Sequence, residues 1–233
     1  MANLISQPRT VIPACDVDVS RFEKLIKETA NVEKIGAYKI GMLLGLSHGL
    51  PKIVEIARKY TNKPLIYDHQ KAATDIPDTG KEFARIIQNA GIDAVILFPQ
   101  AGPATLTAWT QRAMEKGLTV IVGGHMTHDR YLASEGGYIA DESIERIYLD
   151  AAKLGVVDFV VPGNRPSFII KIREKIIGLG IQPVFYAPGF IAQGGKISDA
   201  AKVAGPKWHA IVGRAIYDEP DMRQSAVTLA ASI

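Results

Sequence analysis

The segment PLIYDHQKAATDIPDTG crowds three charged residues onto the end of an apolar run: Asp68, Lys71 and Asp75. An ammonium group held between carboxylates stays protonated, and it can donate a proton or oppose negative charge developing on a substrate. Two further charges end apolar runs elsewhere, Asp16 after VIPAC and Lys39 within AYKIG. Lys39 sits between Tyr38 and Ile40, so an extended chain turns it away from both. A lysine inside a strand is costly to bury unless carboxylates face it, and Asp68 and Asp75 are the expected partners. Alternation also sets a condition on Lys71. An extended chain running past Asp68 would point it to the opposite face, so the chain must turn there, and the small residues Ala72, Ala73 and Thr74 permit that turn.

A second group of residues suits an anion. The segments VFYAPGFIAQGGKISDA and AIVGRAIYDEP place glycines beside Gln193 and Arg214. Backbone N–H groups freed by glycine, an amide and a planar guanidinium together fit a phosphate dianion. Other chemistries match less well. His125 and His128 have an HxxH spacing that could join His69 or Asp68 around a divalent ion, but no HExxH pattern or carboxylate triad accompanies them, and they read as polar loop groups. No GxSxG elbow supports a serine nucleophile, and Cys15 reads as a strand residue. His48 and His209 have no evident partners.

These residues need a scaffold that brings distant strand ends together. Eight β-rich apolar runs alternate with stretches of helical period: 11–15, 37–40, 64–67, 94–98, 119–122, 159–161, 183–187 and 210–212. That pattern predicts a (β/α)8 TIM barrel, in which reacting groups gather at the C-terminal ends of the strands and phosphate binds after strands seven and eight. An open doubly wound sheet is the alternative, weakened because no GxGxxG follows the first strand. One helix shows the logic. After Pro77, Phe83, Ile86, Ile87 and Ala90 form a stripe expected to face the sheet, and Gly91 stops it. The long stretch from Gly123 to Val157 is read as either a lid over the mouth or a surface connection.

Composition narrows the function classes. In 233 residues, 47% are hydrophobic, which excludes a disordered chain. The 27 basic and 24 acidic residues give a net charge of only +3, with no polybasic stretch for nucleic acid or a membrane surface. A single cysteine offers no disulfide framework, and no apolar run reaches transmembrane length. The N-terminus MANLISQPRT shows neither basic leader nor apolar signal core, so a soluble cytoplasmic protein is expected. No linker divides the chain, and one domain over residues 1–233 is expected.

With those residues in view, the chain resembles the orotidine 5'-phosphate decarboxylases of the compact archaeal type. The resemblance runs nearly end to end, through Asp16, Lys39, the Asp68, Lys71 and Asp75 segment with its DIPDTG tail, HMTH, GNRP, APGFIAQGG and VGRAIY. It implies a homodimeric barrel enzyme that converts orotidine 5'-monophosphate to UMP and carbon dioxide without a cofactor or metal, in pyrimidine biosynthesis. Lys71 is then similar to the proton donor to C6, with Asp68, Asp75 and Lys39 completing a charged array and Asp75 reaching into the neighbouring subunit's site. Asp16, Lys39 and Thr79 match ribose-contacting positions, and Thr127 takes the place of a pyrimidine-reading serine. Pro188, Gly189, Gln193, Gly194, Gly213 and Arg214 match the phosphate grip.

Two departures from the family pattern stand out. The usual motif is Asp-x-Lys-x-x-Asp, whereas this chain has one more residue on each side of Lys71. The histidine that commonly follows strand four is replaced by Phe98 and Pro99. Three alternatives follow: a metal-dependent phosphosugar relative, a Schiff-base aldolase using Lys71, or a nucleotide-binding barrel without catalysis.

Overall fold

In a computed structural model, which describes residues 3–69, 75–190 and 197–233, eight parallel strands close into a barrel in the order of the chain. The strands are β1 (Arg9–Cys15), β2 (Tyr38–Ile40), β3 (Leu65–Asp68), β4 (Ala94–Leu97), β5 (Thr119–Gly123), β6 (Asp158–Val160), β7 (Val184–Ala187) and β8 (Trp208–Val212). Each predicted apolar run thus becomes a strand, with ends shifted by one or two residues. β8 hydrogen-bonds back to β1, Thr10 lying opposite His209 and Ile12 opposite Ile211, so no strand edge is left open.

The helices are α1 (Val19–Thr29), α2 (Met42–His48), α3 (Leu50–Arg58), α4 (Gly80–Asn89), α5 (Pro103–Glu115), α6 (Asp141–Lys153), α7 (Pro166–Gly178), α8 (Ile197–Val203), α9 (Arg214–Tyr217) and α10 (Met222–Ala231). Strand alternation divides the apolar residues into two cores. Outward residues such as Val11, Tyr38, Ile40, Leu65 and Tyr67 pack under the helices, while Ile12, Ala14, Ile66, Ile96, Phe98, Ile121 and Tyr186 fill the barrel. A parallel sheet buried on both faces explains the nearly unbroken apolar runs of the sequence.

The stripe on α4 departs from expectation. Gly80, Ala84 and Ile87 form its buried face, with Ala90 buried at its C-terminal cap, whereas Ile86 is 54% exposed. The helix lies so close that a Cβ on Gly80 would come within 2.7 Å of the Trp109 ring, and this approach rotates Ile86 outward.

The stretch between β5 and α6 is tied to its surroundings. The Tyr131 hydroxyl donates to the Gly124 carbonyl at 2.8 Å, Gln100 Nε2 donates to that hydroxyl at 2.7 Å, and Arg165 pairs with Glu135 at 2.5 Å. Asn164 Nδ2 adds a bond to the Thr127 carbonyl at 3.1 Å. These contacts fasten the segment to the turns after β4 and β6.

Candidate active site

Parallel strands in a closed barrel deliver all eight C-terminal ends to one mouth. On β2, the outward turn of Tyr38 and Ile40 leaves Lys39 pointing inward. It lies opposite Ala14 on one side and Ile66 on the other. Asp68 stands two residues beyond Ile66, also inward, and the long lysine stem spans this offset beside the small Ala14. Lys39 Nζ donates to Asp68 Oδ2 at 2.6 Å and lies 3.5 Å from Asp16 Oδ2. The side chains of Lys39 and Asp68 are only 7% and 2% exposed, whereas that of Asp16 is 36% exposed. Gly41 makes room for Asp16, since a Cβ there would lie 2.2 Å from Asp16 Oδ1.

Burial alone would lower the lysine's pKa. The carboxylates of Asp68 and Asp16, with the hydrogen bond that Asp68 accepts from Lys39, outweigh burial and push Lys39 up to about 12. The side chain is a fixed ammonium at any physiological pH.

This group opens on a cavity of about 280 Å³. Phe98, Val160 and Ile211 from the inner core line it, and Asp16, Lys39, Thr127, Pro188, Gly189, Gly213 and Arg214 share its wall. Gly189 adopts φ 100°, a conformation that favours glycine. Arg214 is exposed and has no ion-pair partner among the described residues. A cleft with a buried ammonium and an available guanidinium suits an anionic ligand of nucleotide size.

Lys71, Gln193 and Gly194 fall outside the described residues. Asp75, expected as a partner of Lys39, is exposed, and one of its carboxylate oxygens accepts the Ile76 N–H at 2.7 Å. The second carboxylate beside Lys39 is therefore Asp16. Thr79 closes a 3₁₀ turn (Pro77–Thr79), donates to the Ile76 carbonyl at 2.8 Å and does not line the cavity.

Two histidines differ from expectation, His125 and His209, while His128 is a polar loop group as expected. His125, read as a polar loop group, is 4% exposed, packed between Tyr131 and Phe168, and burial with the nearby Arg165 lowers its pKa to about 4. His128 is exposed and meets Tyr131 edge-on. Among the described residues, no three His, Cys, Asp or Glu side chains gather as a metal cage. His209 has a partner that sequence reasoning did not find, because Thr10 Oγ1 and His209 Nδ1 share a 2.8 Å hydrogen bond across the β1–β8 closure. Tyr217, which also lines the cavity, was missed as well. Its spacing of three from Arg214 on α9 was the available signal. Cys15 is buried on the outer face of β1, where burial pushes its thiol pKa up.

Comparison with known proteins bears on this geometry. A family model described as orotidine 5'-phosphate decarboxylase / HUMPS matches residues 10–229. The orotidine 5'-phosphate decarboxylase of Methanosarcina barkeri is 38% identical over 221 residues, covering 93% of this chain and 92% of the relative. That of Methanocaldococcus jannaschii is 31% identical, covering 94% and 95%. A crystal structure of the Methanocaldococcus jannaschii orotidine 5'-monophosphate decarboxylase, complexed with the inhibitor BMP, superposes with a TM-score of 0.83 at 28% identity. It covers 97% of this chain and 99% of the other. With a match that spans almost every strand and helix of the barrel, the chain belongs to the orotidine 5'-phosphate decarboxylase / HUMPS family.

Proposed function

We propose that this protein decarboxylates orotidine 5'-monophosphate to UMP and carbon dioxide in pyrimidine biosynthesis, without a cofactor. The observation that carries the reading is the buried Lys39–Asp68 ion pair, flanked by Asp16, opening on the same cleft as Arg214.

In this reading Arg214, Gln193, Gly194 and Gly213, with Pro188 and Gly189, hold the phosphate. Asp16 and Lys39 contact the ribose, and Thr127 reads the pyrimidine. The bond from C6 to the carboxylate breaks, carbon dioxide leaves and the electron pair stays on C6. The Lys71 ammonium gives its proton to that carbon, and the resulting amine takes a proton back from water. Fixed ammonium groups stabilise the developing carbanion electrostatically, because they are already oriented and need no reorganisation as charge appears. Asp68, beside the departing carboxylate, adds repulsion that is relieved as carbon dioxide leaves.

We also propose a homodimer in which Asp75 enters the neighbour's site. The exposed position of Asp75 supports this, as do the large exposed apolar residues Leu43, Leu46 and Ile76 that follow the neighbouring strands β2 and β3 at the barrel mouth. A cytoplasmic location fits, and among the described residues no helix is long and apolar enough to cross a membrane.

The test is to add orotidine 5'-monophosphate to chelator-treated protein, follow the ultraviolet change and identify the product by chromatography. One UMP should form for each substrate consumed. Tight UMP binding with no consumption of substrate would overturn the reading. The lengthened Asp68–Lys71–Asp75 spacing favours a second reading, an aldol reaction on a phosphosugar. Activity abolished by chelator, or a covalent adduct trapped by borohydride, would identify it.

A further inference from the structure

Trp109, on α5, is 4% exposed, and its indole touches both flanks of residues 70–74. On the near side, the His69 N–H donates to the Ile96 carbonyl at 3.2 Å, which extends the β3 ladder by one residue and turns the imidazole outward beneath the helices. There the His69 ring stacks on Trp109, with centroids 5.7 Å apart and planes at 29°, and it also packs on Phe83 at 4.6 Å. On the far side, Trp109 Nε1 donates to the Ile76 carbonyl at 3.1 Å. Thr105, one helical turn earlier on α5, donates from Oγ1 to the Asp75 carbonyl at 2.9 Å. One face of one helix thus grips the chain just before and just after the residues that include Lys71.

We infer that Trp109 and Thr105, with the His69 ring, are positioning residues that fix Asp75 and both flanks of the lengthened Asp68–Asp75 motif for catalysis. The inference rests on the decarboxylase reading above. Each added residue gives a chain about 3.3–3.6 Å of extra reach and about 1–2 kcal/mol of conformational entropy to lose on ordering. A proton donor and a carboxylate must nevertheless sit within a few tenths of an ångström of their working places. Two extra residues are tolerable when the flanks are held by a neighbouring helix. Neither indole nor hydroxyl needs to touch substrate for this role.

The test uses the full-length protein and four changes: Thr105→Val combined with Trp109→Phe, which deletes both donors while keeping shape and ring, and separately His69→Ala and His69→Phe. In the double variant kcat should fall about ten- to hundredfold, while UMP affinity stays within about threefold because the phosphate anchor is untouched. His69→Ala should lose kcat in the same way, and His69→Phe, which restores a stacking ring, should recover most of it. Unchanged kcat in the folded double variant would overturn the inference. So would kcat and UMP affinity falling together in step with thermal stability, since that marks a purely structural role. Amide hydrogen exchange over residues 64–80 reads the grip without reference to activity. If the wild type turns over no substrate, the decarboxylase reading fails by itself. Faster exchange in the double variant would then still support the grip, and unchanged exchange would refute it.

Discussion

Lys39 and Asp68 stand on adjacent strands two residues out of register, and the lysine stem spans that offset to bring Nζ within 2.6 Å of Oδ2. Both side chains are almost wholly buried, so removing the cation is expensive. Lys39→Met should destabilise the fold by about 3 kcal/mol and reduce turnover, as read by chemical denaturation and initial rates. Unchanged stability would mean that solvent or other groups already screen the carboxylate.

Phe98 replaces the histidine common after strand four, and its ring occupies the space in front of Gly123. A Cβ on Gly123 would lie 2.3 Å from the Phe98 ring. Gly123→Ala should therefore push the ring toward the cleft, destabilise by about 1–3 kcal/mol and raise KM. The double change Gly123→Ala with Phe98→Leu should recover both. Failure to recover would place the strain elsewhere.

His209 makes stability fall toward acid. It is 2% exposed inside the barrel, and burial lowers its pKa from 6.5 to about 4. The unfolded chain takes up a proton near pH 6.5 that the folded barrel refuses until about pH 4. This contribution is complete above pH 6.5 and is lost as pH falls through that window, by at most about 3 kcal/mol. His125 acts in the same direction. Asp158 acts oppositely, because burial raises it from 3.8 to about 6, so its contribution is full below pH 3.8 and lost as pH rises toward 6. Two histidines outweigh one aspartate. Denaturation midpoints should fall from pH 6.5 to 4, with a shallower slope in His209→Gln; parallel slopes would contradict the assignment.

The proposed dimer makes a quantitative prediction. If Asp75 serves the neighbour's site, Lys71→Ala and Asp75→Ala chains are each inactive alone, yet a hybrid dimer holds one intact site. Mixing them in equal amounts under subunit exchange should restore about a quarter of wild-type activity. No recovery after demonstrated exchange would exclude a shared site.

The sequence and the structure agree most closely where local periodicity decides the outcome. Eight apolar runs specify eight strands because burial on both faces leaves only apolar residues, and alternation correctly turns Lys39 inward between Tyr38 and Ile40. What sequence could not show depends on register between distant segments. The choice of Asp16 as the second carboxylate beside Lys39 follows from the stagger of β1, β2 and β3. The Thr10–His209 bond exists only because β8 closes on β1. Ile86 fits the helical stripe yet lies outside it, because Gly80 lets α4 settle directly onto Trp109 and so fixes the helix's rotation. The burial of His125 likewise comes from Tyr131 and Phe168, six and 43 residues further along the chain.

The proposed function divides the labour between Lys71, which carries the chemistry, and Arg214, which anchors the phosphate. The most direct test measures kcat for orotidine 5'-monophosphate and Kd for UMP in chelator-treated wild type, Lys71→Ala and Arg214→Ala. Lys71→Ala should abolish turnover while binding UMP nearly as the wild type does. Arg214→Ala should weaken UMP binding about 10- to 100-fold through loss of a charged hydrogen bond to phosphate. Equal loss of binding in both variants, or turnover that survives Lys71→Ala, would contradict the account.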